Sequence, residues 1–306
     1  MGKHFFKVAG HIFSVEICDE LLSQMDNYTP FAVNPVDNPI FSLAVQNEQA
    51  PRYTEETRQE EENQSIICGK TDDGLAVFDF FLYGKSTGIL ICSKNFKQAN
   101  LYLNQDGIFA KEQTDIHSEN WQHTRFALNN SLMVLYSLAT ATLGTVLFHA
   151  VGIKYNGRGY LFLGKSGTGK STHARLWLKY NEGSELFNDD NPVVRLFKNE
   201  NGTIHAKTYG TPWSGKTPCY KNVEMELGGF TLLSQAPFNK ISPLKKISAY
   251  AALKTSISGM RWDKNIADGL HQTENGLAAN IPVWYLECLP DGGAAKLCRE
   301  TIVSNE

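Results

Sequence analysis

Residues Gly164-Lys165-Ser166-Gly167-Thr168-Gly169-Lys170-Ser171-Thr172 fit the spacing G-x-x-x-x-G-K-[S/T]. Each residue type answers a need of a polyphosphate ligand. Phosphate oxygens require several convergent donors. Successive backbone N–H groups converge only where the chain curls tightly, which Gly164, Gly167 and Gly169 permit. A helix starting at the same point adds the positive end of its dipole. Lys170 supplies a point charge for the β- and γ-phosphates, and the Ser171 hydroxyl is the expected Mg²⁺ ligand. A glycine-rich turn before a helix can be a simple cap. Here an apolar strand, Tyr160-Leu161-Phe162-Leu163, leads in, and the stretch STHARLWLKYN leads out as a helix with Leu176 and Leu178 available for packing. That context favours a loop that grips a nucleoside triphosphate, expected to be ATP, with Mg²⁺. No motif distinguishes one base from another.

Asp189 and Asp190 follow Lys170 by 19 and 20 residues. The short spacing puts them on the strand directly after the loop's helix. Two adjacent carboxylates at a strand end can divide the labour, one holding Mg²⁺ and the other accepting a proton from a nucleophile. The run N-D-D-N-P is equally good turn chemistry. His149 lies in an apolar segment, VLFHAVGI, where a lone histidine is ordinarily a satisfied core residue. Spacing alone leaves both readings open for the acids and the histidine.

The elements that must position these residues divide in two. Residues 1–122 read as a β-rich domain: HFFKVAGHIFSVEI, IFSLAV, GLAVFDFFLY, GILIC and ANLYLN are short and rich in Val, Ile, Phe and Tyr, which predicts an antiparallel sheet or meander. Residues 51–64, PRYTEETRQEEENQ, have no apolar face and read as a solvated loop. Residues 123–306 read as the domain that carries the loop. It opens with a helix over about Phe126–Gly144, whose apolar positions Leu128, Leu132, Leu135, Ala139 and Leu143 recur at three and four residues. A hairpin is predicted at Asn156-Gly157, because both turn positions tolerate positive φ. Residues 201–241 read as strands, 242–278 as helical, and the last twenty or so as a strand followed by a helix.

Composition narrows the class. The chain has 306 residues, 42% hydrophobic and 20% charged, enough to build two cores. A net charge of -3 and a pI near 6.3 argue against nucleic acid as a partner. The six cysteines form no C-x-x-C pair, which fits free thiols in a reducing cytoplasm. The N-terminus lacks the long apolar run of a signal peptide. Phe126 to Phe148 contains no charged residue and is long enough to span a bilayer, but its asparagines, serines and threonines make it a core helix in this reading, with no membrane partner.

The run FLGKSGTGKSTHARLW…LFNDDNPVVRL, with His149 fifteen residues before Gly164, resembles the C-terminal catalytic domain of HPr kinase/phosphorylase. More broadly it is similar to the phosphoenolpyruvate-carboxykinase-like group of P-loop proteins. The resemblance covers roughly residues 145–235 and does not extend to the first 120. It implies an α+β fold in which an N-terminal β-rich domain precedes a nucleotide-binding P-loop domain. It further implies a kinase that transfers the γ-phosphoryl group of ATP to a hydroxyl, a serine of a protein, a peptide or a small molecule. Lys170 becomes the phosphate-binding lysine, Ser171 and Asp189 the Mg²⁺ ligands, Asp190 the proton acceptor and His149 its catalytic partner. The relatives also imply a homo-oligomer. The segment Tyr209–Lys216, YGTPWSGK, departs from the HPr kinases and puts HPr as substrate, and phosphorylase activity, in doubt; Lys216 reads as a solvent-exposed loop lysine that would reach acceptor or γ-phosphate only if its loop folds over the nucleotide, and Trp213 as a packing anchor. The reading from a different class is a regulatory nucleotide-binding protein with weak hydrolysis and no transfer.

Overall fold

The structure, a computed structural model, describes residues 1–46, 48–104, 119–215 and 217–303. It is a mixed α/β chain with two large sheets and few helices, and it separates into two compact units, Met1–Ala139 and Thr140–Glu306. The boundary read from sequence, at 122/123, falls near the start of the long helix that closes the first unit.

The N-terminal unit contains β1 (Gly2–Val8), β2 (His11–Ile17), a single helical turn α1 (Asp19–Leu22), β3 (Ala32–Val33), β4 (Ser42–Gln46), β5 (Tyr53–Glu61), β6 (Gln64–Thr71), β7 (Ala76–Leu82), β8 (Lys85–Cys92), β9 (Gln98–Leu103) and helix α2 (Glu119–Thr140). The sheet order is β3-β1-β2-β4-β9-β8-β7-β6-β5. From β5 to β9 it is the expected antiparallel meander, but β4 pairs in parallel with both β2 and β9, so the sheet is mixed. The solvated loop expected over 51–64 is instead strand β5 and the turn into β6. Helix α2 begins earlier than the sequence suggests. Asn129 and Asn130 lie inside it and donate to the carbonyls of Arg125 and Phe126. By length and composition Trp121–Leu143 could cross a membrane, with mean hydropathy 1.2, and 61% of that window is buried. Leu128, Leu132 and Leu135 are buried, as the helical spacing predicts, whereas Leu143 is exposed. Tyr136 Oη donates to the carbonyl of Val8, which ties the helix to β1.

The C-terminal unit contains β10 (Thr145–Phe148), β11 (Ala150–Tyr155), β12 (Arg158–Leu163), α3 (Lys170–Tyr180), β13 (Glu185–Asn188), β14 (Val193–Lys198), β15 (Ile204–Tyr209), β16 (Glu224–Gln235), β17 (Lys240–Pro243), α4 (Lys246–Lys254), β18 (Ile257–Ser258), α5 (Lys264–Asn280), β19 (Val283–Cys288) and α6 (Gly292–Val303). The region 242–278, expected to be helical, opens with strand β17 and is broken by β18. The sheet order is β13-β11-β12-β16-β15-β14-β10-β18, with β19 on β16 and β17 on β19. Most pairs are antiparallel, but β12, β16 and β19 run parallel to one another. Asn156 and Gly157 take φ of 49° and 78°, and Tyr155 faces Arg158, so the predicted two-residue hairpin joins β11 to β12. The core packs Val151, Tyr160 and Phe162 of the sheet against Trp177 of α3 and Ile302 of α6. Trp177 is fully buried while Leu178 is 39% exposed, so the helix docks through the indole and not through the leucine expected there. All six cysteines are free.

Candidate functional site

The glycine-rich stretch forms the turn between β12 and α3. Gly164 has φ of 151°, Gly167 of 80° and Gly169, the N-cap of α3, of 97°. These values are costly for residues with a Cβ. At Gly164 there is also no room, since an added Cβ would lie 2.5 Å from Thr168 Oγ1. Thr168 closes the turn on itself, with Oγ1 donating to the Lys165 carbonyl at 2.6 Å and its amide donating to the same carbonyl at 3.2 Å. Lys170 is nearly buried and folds back over the loop, its Nζ 2.8 Å from the Gly164 carbonyl. Lys165, Ser166, Gly167 and Ser171 are exposed, and Gly164, Thr168, Gly169 and Thr172 are partly so. The first amides of α3 have no carbonyl one turn back, so they open with the helix dipole toward whatever sits at the loop.

Strand register explains how distant residues meet this loop. β11 is antiparallel to both β12 and β13, so β12 and β13 run in the same direction. Leu163 faces Ala150 across one side of β11, and Asn188 faces Gly152 across the other. The Gly164 turn and the Asp189-Asp190 pair therefore leave the same edge of the sheet, two strand spacings apart, roughly 9–10 Å. His149 enters β11 between them.

A second ladder fixes the acids. Leu147 of β10 faces Val193 of β14, and the same register continues past His149. The amide of Phe148 donates to the Pro192 carbonyl at 3.0 Å, and the amide of Ala150 to the Asp190 carbonyl at 2.8 Å. The segments 145–152 and 188–195 are thus one antiparallel pair that changes neighbours at His149. At that point His149 Nδ1 lies 3.2 Å from Asp190 Oδ1, both side chains part-exposed. The other Asp190 oxygen accepts Asn191 Nδ2 at 2.7 Å. Asn188, wholly buried, organises the turn: its Oδ1 accepts the amides of Asp190 and Asn191, and its Nδ2 donates to Thr211 Oγ1 and the Trp213 carbonyl. The N-D-D-N run is therefore a turn as well as a pair of acids. Asp189 is 8% exposed, and its Oδ2 accepts the amide of Thr217 at 3.0 Å. Gly215 and Thr217 so lie against the acids, with Trp213 buried as a packing anchor; Lys216 lies outside the described residues.

The donors at this edge are the Ser171 hydroxyl and two carboxylates, all hard oxygens. Among the described residues no group of three or more His, Cys, Asp or Glu could hold a metal. This composition fits Mg²⁺, which takes one or two carboxylates together with substrate phosphates and does not need a protein cage.

Two residues escaped the sequence reading. Gln235 at the end of β16 donates from Nε2 to the Gly167 carbonyl at 3.1 Å, bracing the loop. His173, one turn into α3, is 3% exposed and accepts the Trp177 indole N–H at Nε2, 3.1 Å away. Because an indole only donates, the neutral ring carries its proton on Nδ1, which is buried without a partner. Burial pushes its pKa down to about 4. The i, i+4 spacing of His173 and Trp177 was the available signal.

A family model described as SynChlorMet cassette protein ScmC matches residues 115–293, more than half of the chain. This is a different family from the HPr kinases that the motif resembles. No curated protein matches. Among solved structures the chain is similar to the HPr(Ser) kinase/phosphatase from Coxiella burnetii, at 15% identity over 52% of this chain and 94% of that one, with a TM-score of 0.27.

Proposed function

The chain belongs to the ScmC family, and from that premise we propose that its C-terminal unit is an ATP- and Mg²⁺-dependent phosphotransferase acting on a hydroxyl. The observation that carries this reading is the register that brings a complete phosphate-loop motif and the His149–Asp190 pair to one sheet edge.

In this reading the loop amides, the N-terminus of α3 and Lys170 hold the triphosphate. Its nine residues, Gly164 through Thr172, form the cradle. Ser171 and Asp189 hold Mg²⁺, which supplies charge neutralisation on the phosphates when bound. Asp190 accepts the proton of the attacking hydroxyl. One of its oxygens accepts Asn191 Nδ2 and the other lies 3.2 Å from His149 Nδ1, and a carboxylate has lone pairs left for that proton. His149 donates from Nδ1 and fixes the rotation of the carboxylate. The O–H bond of the acceptor breaks as its oxygen bonds the γ-phosphorus and the bond to the β-phosphate oxygen is released. Positioning and charge account for most of the rate in such a transfer. The acceptor is a serine hydroxyl, in a protein, a peptide or free.

The test pairs Mg-ATP calorimetry with γ-phosphate transfer to serine, peptides and candidate proteins. Wild type should bind and transfer, Asp190→Asn should bind without transfer, and Lys170→Ala should lose binding. If wild type binds ATP, leaves every acceptor untouched and hydrolyses at a rate that Asp190→Asn does not change, the protein is a regulatory nucleotide binder.

A further inference from the structure

Beyond the loop, on the side away from the acids, lies a cleft of about 530 Å³. That is inside the range of roughly 300–1,000 Å³ that small-molecule sites occupy. Its place follows from topology. β12, β16 and β19 are parallel neighbours, and the cleft opens beyond their carboxyl ends, the usual location for ligands on parallel strands. Leu163 faces Leu232 and Gln235 faces Cys288, so the loop and the β19 end are about two strand spacings apart, roughly 9–10 Å.

The lining changes character along its length. Gly167, Thr168 and Gly169 of the loop form one end. Leu176, Leu233, Ala236, Leu289 and Pro290 form the other, where no charged side chain appears. His173 contributes an uncharged imidazole to the wall on the helix side, and its ring is locked by Trp177. An end of glycine amides and hydroxyls running into a largely apolar slot lined by no charged side chain matches a polyphosphate attached to an aromatic heterocycle.

We propose that this cleft holds the nucleoside of the triphosphate, with the base between Leu176 and the Ala236–Leu289 wall. This rests on the phosphotransferase reading and adds a direction to it. The nucleotide lies across the sheet edge with its base toward β19 and its γ-phosphate toward β13, which leaves the side of Trp213 and Gly215 for the acceptor. Gln235 then serves both halves: it ends β16 in the wall of the cleft and braces the Gly167 carbonyl of the loop.

The experiment compares the Mg²⁺ complexes of ATP and inorganic tripolyphosphate by calorimetry. The proteins are wild type, Ala236→Trp, which fills the slot, and Leu289→Glu, which charges its exposed rim and leaves the core intact. Wild type should bind ATP at least tenfold more tightly than tripolyphosphate. Ala236→Trp should weaken ATP tenfold or more and Leu289→Glu several-fold, with tripolyphosphate affinity held within twofold. Equal affinity of wild type for the two ligands, or ATP binding that both variants leave unchanged, overturns the assignment while the phosphate loop stands. Failure of wild type to bind either ligand overturns the phosphotransferase reading and this one with it. Should Ala236→Trp fail to fold, Leu289→Glu decides.

Discussion

Acid should loosen the C-terminal unit through one side chain, His173. Its burial against Phe162 and Trp177 holds its pKa near 4, against an ordinary 6.5. In the unfolded chain the ring takes up a proton as pH falls through 6.5, while in the folded chain it stays neutral until about 4. Protons therefore bind the unfolded state first, and stability falls with pH across that window. The slope is about 1.4 kcal/mol per pH unit while only the unfolded ring is charged, and the whole window amounts to about 3 kcal/mol. The stabilisation is complete above pH 6.5 and gone below about 4. Urea unfolding of wild type and His173→Gln, followed by tryptophan emission between pH 7 and pH 4, isolates this contribution, because glutamine does not titrate. The excess stability of wild type should shrink by about 3 kcal/mol on acidification. Parallel profiles for the two proteins would refute the claim that a neutral buried imidazole is built into α3.

Other perturbations follow from geometry already described. Gly169→Ala imposes a left-handed conformation worth about 1–2 kcal/mol of strain on a residue with a Cβ. It should lower ATP affinity in calorimetry, whereas Gly157→Ala, equally left-handed but in the open β11–β12 turn, should cost comparable stability and leave ATP binding unchanged. Asn188→Ala removes the acceptor for two amides and a donor to the 211–213 segment; denaturant titration should show a loss of about 3 kcal/mol, and transfer activity should fall with it. Trp177→Phe leaves His173 Nε2 buried without a donor, and thermal unfolding should report a loss of about 2 kcal/mol.

What could be read in advance, and what could not, follows from the range of the interactions. The glycine loop, its strand and its helix are local, fixed by φ preferences and a short apolar run, so nine adjacent residues announce them. The Asn156-Gly157 hairpin is local for the same reason. The pairing of His149 with Asp190 depends on a ladder between residues some forty positions apart, and no spacing rule within one segment reveals which strands will be neighbours. On α3 Leu176 packs against the core as its type suggests, but Leu178 does not, because the phase of the helix points Trp177 inward and Leu178 to solvent. β5 was missed because both of its faces meet water: alternation marks a strand only when one face is buried, and eight of its nine residues are exposed.

That exposed strand has a consequence for the protein at high concentration. β5 ends the sheet order, so its outer side is a template on which another chain could add a strand. β5 carries Glu55, Glu56, Glu60 and Glu61, of which Glu55 pairs with its own Arg58 and Glu56 with Lys70 of β6, so carboxylates outnumber cations there. A second β5 approaching edge to edge would bring carboxylates against carboxylates, and salt would weaken that repulsion within a Debye length of about 8–10 Å. The irregular register between Glu55 and Thr57 adds a kink that a flat incoming strand does not match. The run of glutamates thus works as a barrier to self-association, strongest in dilute buffer and weakest in concentrated salt.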